Sequence, residues 1–297
     1  MAAPFGKEGG TSGRAKPAPR RLLVWPAPQP FDTTPSYAMP AELLSTSHGQ
    51  TMVLTLSNPE YRNALGPDIY AAGVEALSVA ESSADIRSVV ITGAGGVFSA
   101  GGNLHRLRAN REQPAEEQTQ SIEGLHNWVE SIRSFPKPVV AAVEGAAAGA
   151  GFSLALACDF IVAARDAVFA LAYSNIALSP DGGASWVLGQ QLPRQLASEL
   201  LMCAERVTAE RLHQLGLVNR VSHPGEALDT ALALAQSLND RAPNALASIK
   251  ELLNDAPHQT LHHQLAQERD HFVCNLHHAN AGIGIQALLD KQTPRYE

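Results

Sequence analysis

Two stretches of the 297-residue chain carry the small residues that bring main-chain amides into contact with a bound group. Residues 98–104 read FSAGGNL and follow a Gly93-Ala94-Gly95-Gly96 loop, and residues 144–155 read EGAAAGAGFSLA, running through glycines and alanines into an apolar helix. Adjacent glycines let a backbone come close to a ligand. A helix start adds unpaired N–H groups and a partial positive charge, which suits an anion or an oxygen that becomes one. Two such sources together suggest an oxyanion hole. Each stretch alone is also what tight helix packing requires. Neither matches the phosphate-cradling GxxxxGK[ST] pattern, nor GxGxxG with its acidic partner. The string at 151–155, GFSLA, departs from GxSxG at its fifth position, which speaks against Ser153 as a hydrolase nucleophile.

Histidine and cysteine add no competing chemistry. Six of the 11 histidines lie from His258 onward, with His262-His263 and His277-His278 adjacent. Neighbours on a helix point about 100° apart, and HExxH is absent, so a metal site is not expected. Cys158, Cys203 and Cys274 are far apart and lack CxxC spacing, which points to a reducing, cytoplasmic setting rather than a disulfide framework.

The elements that must position the amide-rich stretches follow from pattern. Residues 51–56 (TMVLTL), 88–92 (SVVIT), 138–143 (PVVAAV) and 160–164 (FIVAA) are short, rich in β-branched residues and ended by turn chemistry, so they read as strands. Helical patterns lie between them at 67–79, 121–134 and 148–157, an α/β alternation. From Gln191 to the end the pattern reads as helical throughout, with leucine stripes broken at Gly216 and Pro224.

Composition bounds the partners. The net charge is −7 and the sequence is 45% hydrophobic, so nucleic acid and anionic membrane surfaces are not expected partners. No apolar run reaches the roughly 18 residues that span a bilayer. Residues 1–38 hold seven of the 19 prolines, with five basic residues against two acidic ones, a net +3 that leaves −10 on the rest. A segment of that composition cannot bury enough surface to offset its ordering entropy and is expected to be a disordered extension. The expected organisation is that extension, an α/β core at 39–235, and a helical region at 236–297.

In order along the chain, Asn58-Pro59, Arg62-Asn63-Ala64-Leu65, FSAGGNL, EGAAAGAGFSLALACD ending at Asp159, IALSPDGGAS (176–185) and LGLVNRV (215–221) resemble the enoyl-CoA hydratase/isomerase, or crotonase, superfamily. The resemblance implies a spiral of ββα units with a C-terminal helical trimerisation region, assembled as a homotrimer or hexamer. It implies an acyl-CoA thioester as substrate, with coenzyme A part of that substrate and no separate cofactor. The N–H groups of Gly102 and Ala150 would form the oxyanion hole. Ala150 stands where relatives usually have Gly, a change that removes no donor provided its φ is negative. Arg62, Ala64, Ala100 and Leu104 match positions lining the CoA pocket; for Arg62 a phosphate contact and a solvated loop residue remain equal alternatives.

The two glutamates of hydratases are replaced by Ser153 and Tyr173, which the resemblance places against the substrate. Asp181 matches a catalytic aspartate of certain double-bond isomerases of the family, where one carboxylate moves a proton between carbons. SPDGG is equally a turn sequence with a helix N-cap. Asn103 replaces the usual family Asp and is assigned no proton role, and Asp159 is expected to be structural. The leading expectation is isomerisation or hydration of a carbon-carbon double bond. LSPDGGAS and NLHHANAG (275–282) also resemble a subgroup with ring-epoxide isomerases and oxepin-CoA hydrolases of phenylacetyl-CoA catabolism, the enzymatic alternative. A non-catalytic acyl-CoA binder is the third.

Overall fold

The computed structural model describes residues 41–296, and the extension expected over 1–38 lies outside them. Each short β-branched run forms a strand. In chain order the elements begin β1 (Glu42–His48), β2 (Thr51–Ser57), α1 (Pro67–Ser82), β3 (Ser88–Gly93), α2 (Leu104–Asn110) and α3 (Ala115–Ser134). They continue with β4 (Val139–Val143), β5 (Ala146–Ala148), α4 (Ala150–Ala157), β6 (Phe160–Ala164), β7 (Val168–Ala170), α5 (Ala184–Gln191) and α6 (Arg194–Ser198). The C-terminal part holds β8 (Val207–Thr208), α7 (Ala209–Gln214), β9 (Arg220–Ser222), α8 (Ala227–Asn239), α9 (Pro243–Asp255), α10 (Leu261–Leu276) and α11 (Ala279–Leu289).

Six strands form the main sheet in the order β1-β2-β3-β4-β6-β9, parallel throughout except for the β1–β2 hairpin. Three very short strands form a second sheet, β5-β7-β8. The chain passes from one sheet to the other in a repeated step. After β4 it turns at Gly145 (φ 59°), where a Cβ would lie 2.3 Å from the Gly96 carbonyl oxygen, and enters β5 and then α4. After β6 it enters β7 and later α5. The same step after β3 lays Ser99 beside Ala147 in an isolated parallel bridge, and after β2 it lays Leu65 beside Gly102. These stacked turns are the ββα spiral that the sequence resemblance implies.

The strand period of two decides which residues face which side. One face of the main sheet joins the large core, with Leu54, Ile91, Ala141, Val143, Ile161 and Ala163 packed against Trp128, Phe152 and Ile69. The other face presents Val53, Val90, Val140, Ala142 and Val162 to Ala231, Leu234 and Ala235 of α8. Parallel sheets are covered on both sides, and α8 supplies the second cover. Its N-terminus is capped by Glu144, whose two carboxylate oxygens accept from the N–H groups of Ala227 (2.8 Å) and Gly225 (3.1 Å).

The expectation that everything after Gln191 is helical is corrected here: β8 and β9 interrupt the helices, and β9 closes the main sheet beside β6. Strands of two and three residues are too short to carry a period. Helix α8 runs across the expected boundary at 235/236. Beyond it, α9 is tied to the core by Lys250, which donates to Asp159 Oδ2 (2.8 Å) and the Ile132 carbonyl (2.8 Å), while Asp159 also accepts from the Val139 N–H (2.8 Å). Asp159 thus holds strand and helix together. No helix among the described residues is long and apolar enough to cross a membrane.

Candidate active site

The first amide-rich stretch is held by a hub built on Asn63. Its Nδ2 donates to the carbonyls of Ala94 (2.8 Å) and Val97 (2.7 Å), and its Oδ1 accepts from the Asn58 N–H (3.0 Å). Ser99 Oγ donates to the Asn63 carbonyl (2.8 Å) and accepts from the Gly101 N–H (3.1 Å). Ala100 N donates to the Arg62 carbonyl (3.0 Å), and Leu65 N to the Gly101 carbonyl (2.7 Å). Segments 62–65 and 100–102 therefore run side by side. Arg62, itself left-handed at φ 53°, is exposed, whereas Ala64 is buried. Leu104 begins α2 and is 60% exposed. Asn103 caps that helix, its Oδ1 accepting from the N–H groups of His105 and Arg106. Nothing in the sequence marks Asn63 and Ser99 beyond their place inside the Arg62–Leu65 and FSAGGNL motifs.

The second stretch lies against the first. Ala148 N donates to the Ser99 carbonyl (2.9 Å), Ser99 N to the Ala146 carbonyl (3.0 Å), and Gly149 N to the Ala170 carbonyl (2.9 Å). Gly101 sits where a Cβ would come within 3.2 Å of the Ala150 nitrogen and 2.5 Å of the Ala148 carbonyl oxygen. Only Gly fits there, because its φ is +88° as well. Gly151 is equally confined, with Ser99 Oγ 2.8 Å from an added Cβ. The strained turn falls on Gly149 (φ 49°, ψ −125°), so Ala150 takes ordinary helical geometry as the first residue of α4. Among the described residues, neither the Gly102 nor the Ala150 N–H donates to a protein acceptor. The two unpaired amides thus belong to strands of backbone held in contact.

Later in the same buried first turn of α4, Ser153 joins the second half of the site. Tyr173 Oη donates to Asp181 Oδ1 (2.5 Å) and lies 3.2 Å from Ser153 Oγ, which is also 3.3 Å from the Gly149 carbonyl oxygen. Ser153 is fully buried, Tyr173 is 7% exposed and Asp181 is half-buried. The partner of Ser153 is a tyrosine rather than an imidazole, so no nucleophile is activated there. Asp181 precedes α5, in a loop where Gly182 and Gly183 both have positive φ. Burial raises the Asp181 pKa above the usual carboxylate value, while the Tyr173 hydrogen bond and the nearby His126 pull it down. Burial and the Asp181 charge push Tyr70 to about 12, and the same causes raise Tyr173 further. Both phenols therefore stay protonated across the physiological range.

A cavity of about 840 Å³ opens beside this loop between α3, α5 and α9, lined among others by His126, Val129, Gly183, Trp186, Val187 and Lys250. Arg133 lies over the Trp186 ring at 4.9 Å, and His258 stacks on it at 5.6 Å. Among the described residues no group of three or more His, Cys, Asp or Glu side chains converges as metal ligands would.

Comparison with known proteins finds relatives of the whole described chain. The family model described as enoyl-CoA hydratase/isomerase matches residues 47–297. A 1,2-epoxyphenylacetyl-CoA isomerase of Escherichia coli (strain K12) is 35% identical over 255 residues, 86% of this chain and 97% of that protein. A 2,3-dehydroadipyl-CoA hydratase of the same organism is 33% identical over 257 residues, 86% of this chain and 99% of its own length. The crystal structure of an enoyl-CoA hydratase from Polaromonas sp. JS666 superposes with a TM-score of 0.85 at 68% identity, covering 86% of this chain and 99% of that one.

Proposed function

This chain belongs to the enoyl-CoA hydratase/isomerase family and is an enzyme acting on acyl-CoA thioesters, and from that premise we propose that it isomerises its substrate with a single carboxylate, Asp181. The thioester carbonyl oxygen accepts from the N–H groups of Gly102 and Ala150, which stabilise the enolate formed when a proton leaves the α-carbon. Asp181 takes that proton and returns it to a more distant carbon of the conjugated system. No water is consumed and no proton is lost, so one carboxylate balances the reaction. Arg62, Ala64, Ala100 and Leu104 line the path of the coenzyme A portion.

The observation that carries this reading is Asp181, the one carboxylate hydrogen-bonded to the Ser153–Tyr173 pair among the described residues. By the sequence resemblance Ser153 and Tyr173 stand where two-glutamate hydratases hold their acids, and neither can activate water, since one is a hydroxyl and the other is a phenol with a raised pKa. This favours isomerisation over hydration. Within isomerisation, the 1,2-epoxyphenylacetyl-CoA isomerase relative favours a ring-epoxide thioester over a linear enoyl thioester. Both substrates have an acidic α-C–H whose proton is moved to a more distant carbon; the epoxide also breaks the ring C–C bond that its oxygen bridges, widening the ring with no atom gained or lost, so the same groups serve either.

The test is a panel of crotonyl-CoA, a 3-enoyl-CoA and 1,2-epoxyphenylacetyl-CoA, with products separated from substrate by liquid chromatography and weighed by mass spectrometry. Products of unchanged mass from the epoxide or the 3-enoyl thioester are expected. A product 18 Da heavier from crotonyl-CoA at a higher rate than either isomerisation would overturn the assignment. We also propose a cytoplasmic homotrimer or dimer of trimers. The support is the apolar surface left on α9–α11, where Leu253, Leu261, Phe272, Leu288 and Leu289 are each more than two-thirds exposed. Light scattering should return a mass of three or six chains, and a monomer at micromolar concentration would reject this assembly.

A further inference from the structure

Tyr173 and Ser153 occupy the places of the two absent acids, yet they form a hydrogen-bonded chain that ends on the acid that is present. The single Tyr173 proton goes to Asp181 Oδ1. That leaves the Ser153 hydroxyl to donate to the Tyr173 oxygen or to the Gly149 carbonyl. Ser153 is in the second half of the first turn of α4, the helix whose first N–H belongs to Ala150, so the chain links the carboxylate to the element carrying one of the free amides. Gly149 packs against the phenol ring, its missing Cβ standing 3.9 Å from Cζ. The Tyr173 carbonyl in turn accepts from the N–H groups of Ile176 (3.0 Å) and Leu178 (3.0 Å), which fixes the loop leading to Asp181.

We propose that Tyr173 is a positioning residue: its hydroxyl holds one oxygen of Asp181 in place so that the other is presented to the substrate carbon, with Ser153 orienting the tyrosine. The inference rests on the reading of Asp181 as proton carrier. An aspartate on a Gly-rich loop has two rotatable χ angles, restrained here only locally by a hydrogen bond from its own main chain, and a proton transfer needs its carboxylate fixed within hydrogen-bond reach of one carbon. Tyr173 supplies that restraint with a neutral donor. Because burial keeps the phenol protonated, it donates at every working pH and never competes as a base. The other groups facing Asp181 are His126 on α3, which lowers its pKa, and Tyr70 on α1, itself influenced by Arg106 on α2. Neither His126 nor Tyr70 is hydrogen-bonded to the carboxylate among the described residues, so Tyr173 is the side chain that sets its orientation.

The experiment is Tyr173→Phe, assayed on whichever thioester the wild type isomerises, with kcat, KM and the pH profile of kcat measured separately. Loss of a hydrogen bond to a charged group predicts a fall in kcat of roughly tenfold or more, with KM within about twofold. The acid limb of the profile moves to higher pH, because a carboxylate that loses a donor is harder to ionise. Ser153→Ala moves the limb in the same direction by less. The limb position is read within one preparation, so a partly unfolded sample lowers the amplitude without shifting it. An unmoved limb, or a rise in KM alone, makes Tyr173 a wall of the pocket and overturns the inference while Asp181→Asn still lowers kcat by about 10²-fold or more. Retained turnover in Asp181→Asn overturns the reading of Asp181 itself, and this inference with it.

Discussion

Asp181→Asn is expected to lower kcat by about 10²- to 10⁴-fold, the usual contribution of a positioned acid-base group, with KM for the acyl-CoA little changed. Asn matches Asp in shape, and its side-chain oxygen still accepts from the Tyr173 hydroxyl that now bonds Oδ1. What it cannot do is take up a proton. The wild-type profile should fall on the acid side, because the base must be ionised. That limb should lie above the ordinary aspartate range, since burial raises the Asp181 pKa against the opposing pull of Tyr173 and His126.

Stability gives the control, and its sign is the reverse of the usual carboxylate case. A carboxyl whose pKa is higher folded than unfolded favours the folded state fully below the unfolded value and loses that contribution as pH rises through the folded value. At pH 7 the wild type has therefore already lost it, and Asn removes the burden of a buried charge. The unfolding midpoint of Asp181→Asn at pH 7 should equal or exceed that of the wild type, measured by thermal denaturation. Full turnover in a folded Asp181→Asn protein would show that another group carries the proton. A large drop in midpoint would mean that the residue serves the turn and the start of α5.

Ala150→Pro should cost about 10²- to 10³-fold in kcat, the loss seen when one oxyanion donor is removed. Most substitutions at this position leave the main-chain N–H untouched, so the role of the amide is invisible to ordinary side-chain changes. Proline deletes it. Ala150 is the first residue of α4 with helical geometry, and its N–H has no protein acceptor among the described residues. The first helical position is where proline is best accommodated, because the missing N–H is unpaired within the helix anyway and the ring presets φ. Helix α4 and the core around it should persist, as circular dichroism and the unfolding midpoint would report. Ala150→Gly, which keeps the donor, should lose far less. Equal activity in the proline and glycine variants would remove Ala150 from the site.

Much of the fold was legible because its signals are local. β2, β3, β4 and β6 are five to seven residues long, end in turn chemistry and fall where the β-branched runs lie. These four strands run parallel to one another in a sheet covered on both faces, and they read accordingly as continuous apolar runs. The second sheet was not legible. β5, β7 and β8 have two or three residues each, below the length at which alternation can be counted. β9, which starts at the end of LGLVNRV, was hidden for the same reason, and the leucines around it gave the whole region a helical reading.

For the site, residue type and order in the sequence by themselves determined which groups were available: two small-residue stretches able to offer amides, one aspartate in SPDGG, and, at the positions the family resemblance assigns to two acids, a serine and a tyrosine. They determined equally that Ala150 would keep its donor, since an N–H belongs to every residue but proline. Only the tertiary structure decided what those groups touch. Ser153, Tyr173 and Asp181 meet because the β7 turn and the α5 loop both fold back onto α4, and Asn63 finds the carbonyls of Ala94 and Val97 more than 30 residues away. Periodicity and turn preference act over a few neighbouring residues. The register between successive turns of the spiral is set by close packing at Gly101, Gly145 and Gly151, where an added methyl group would strike another segment of the chain.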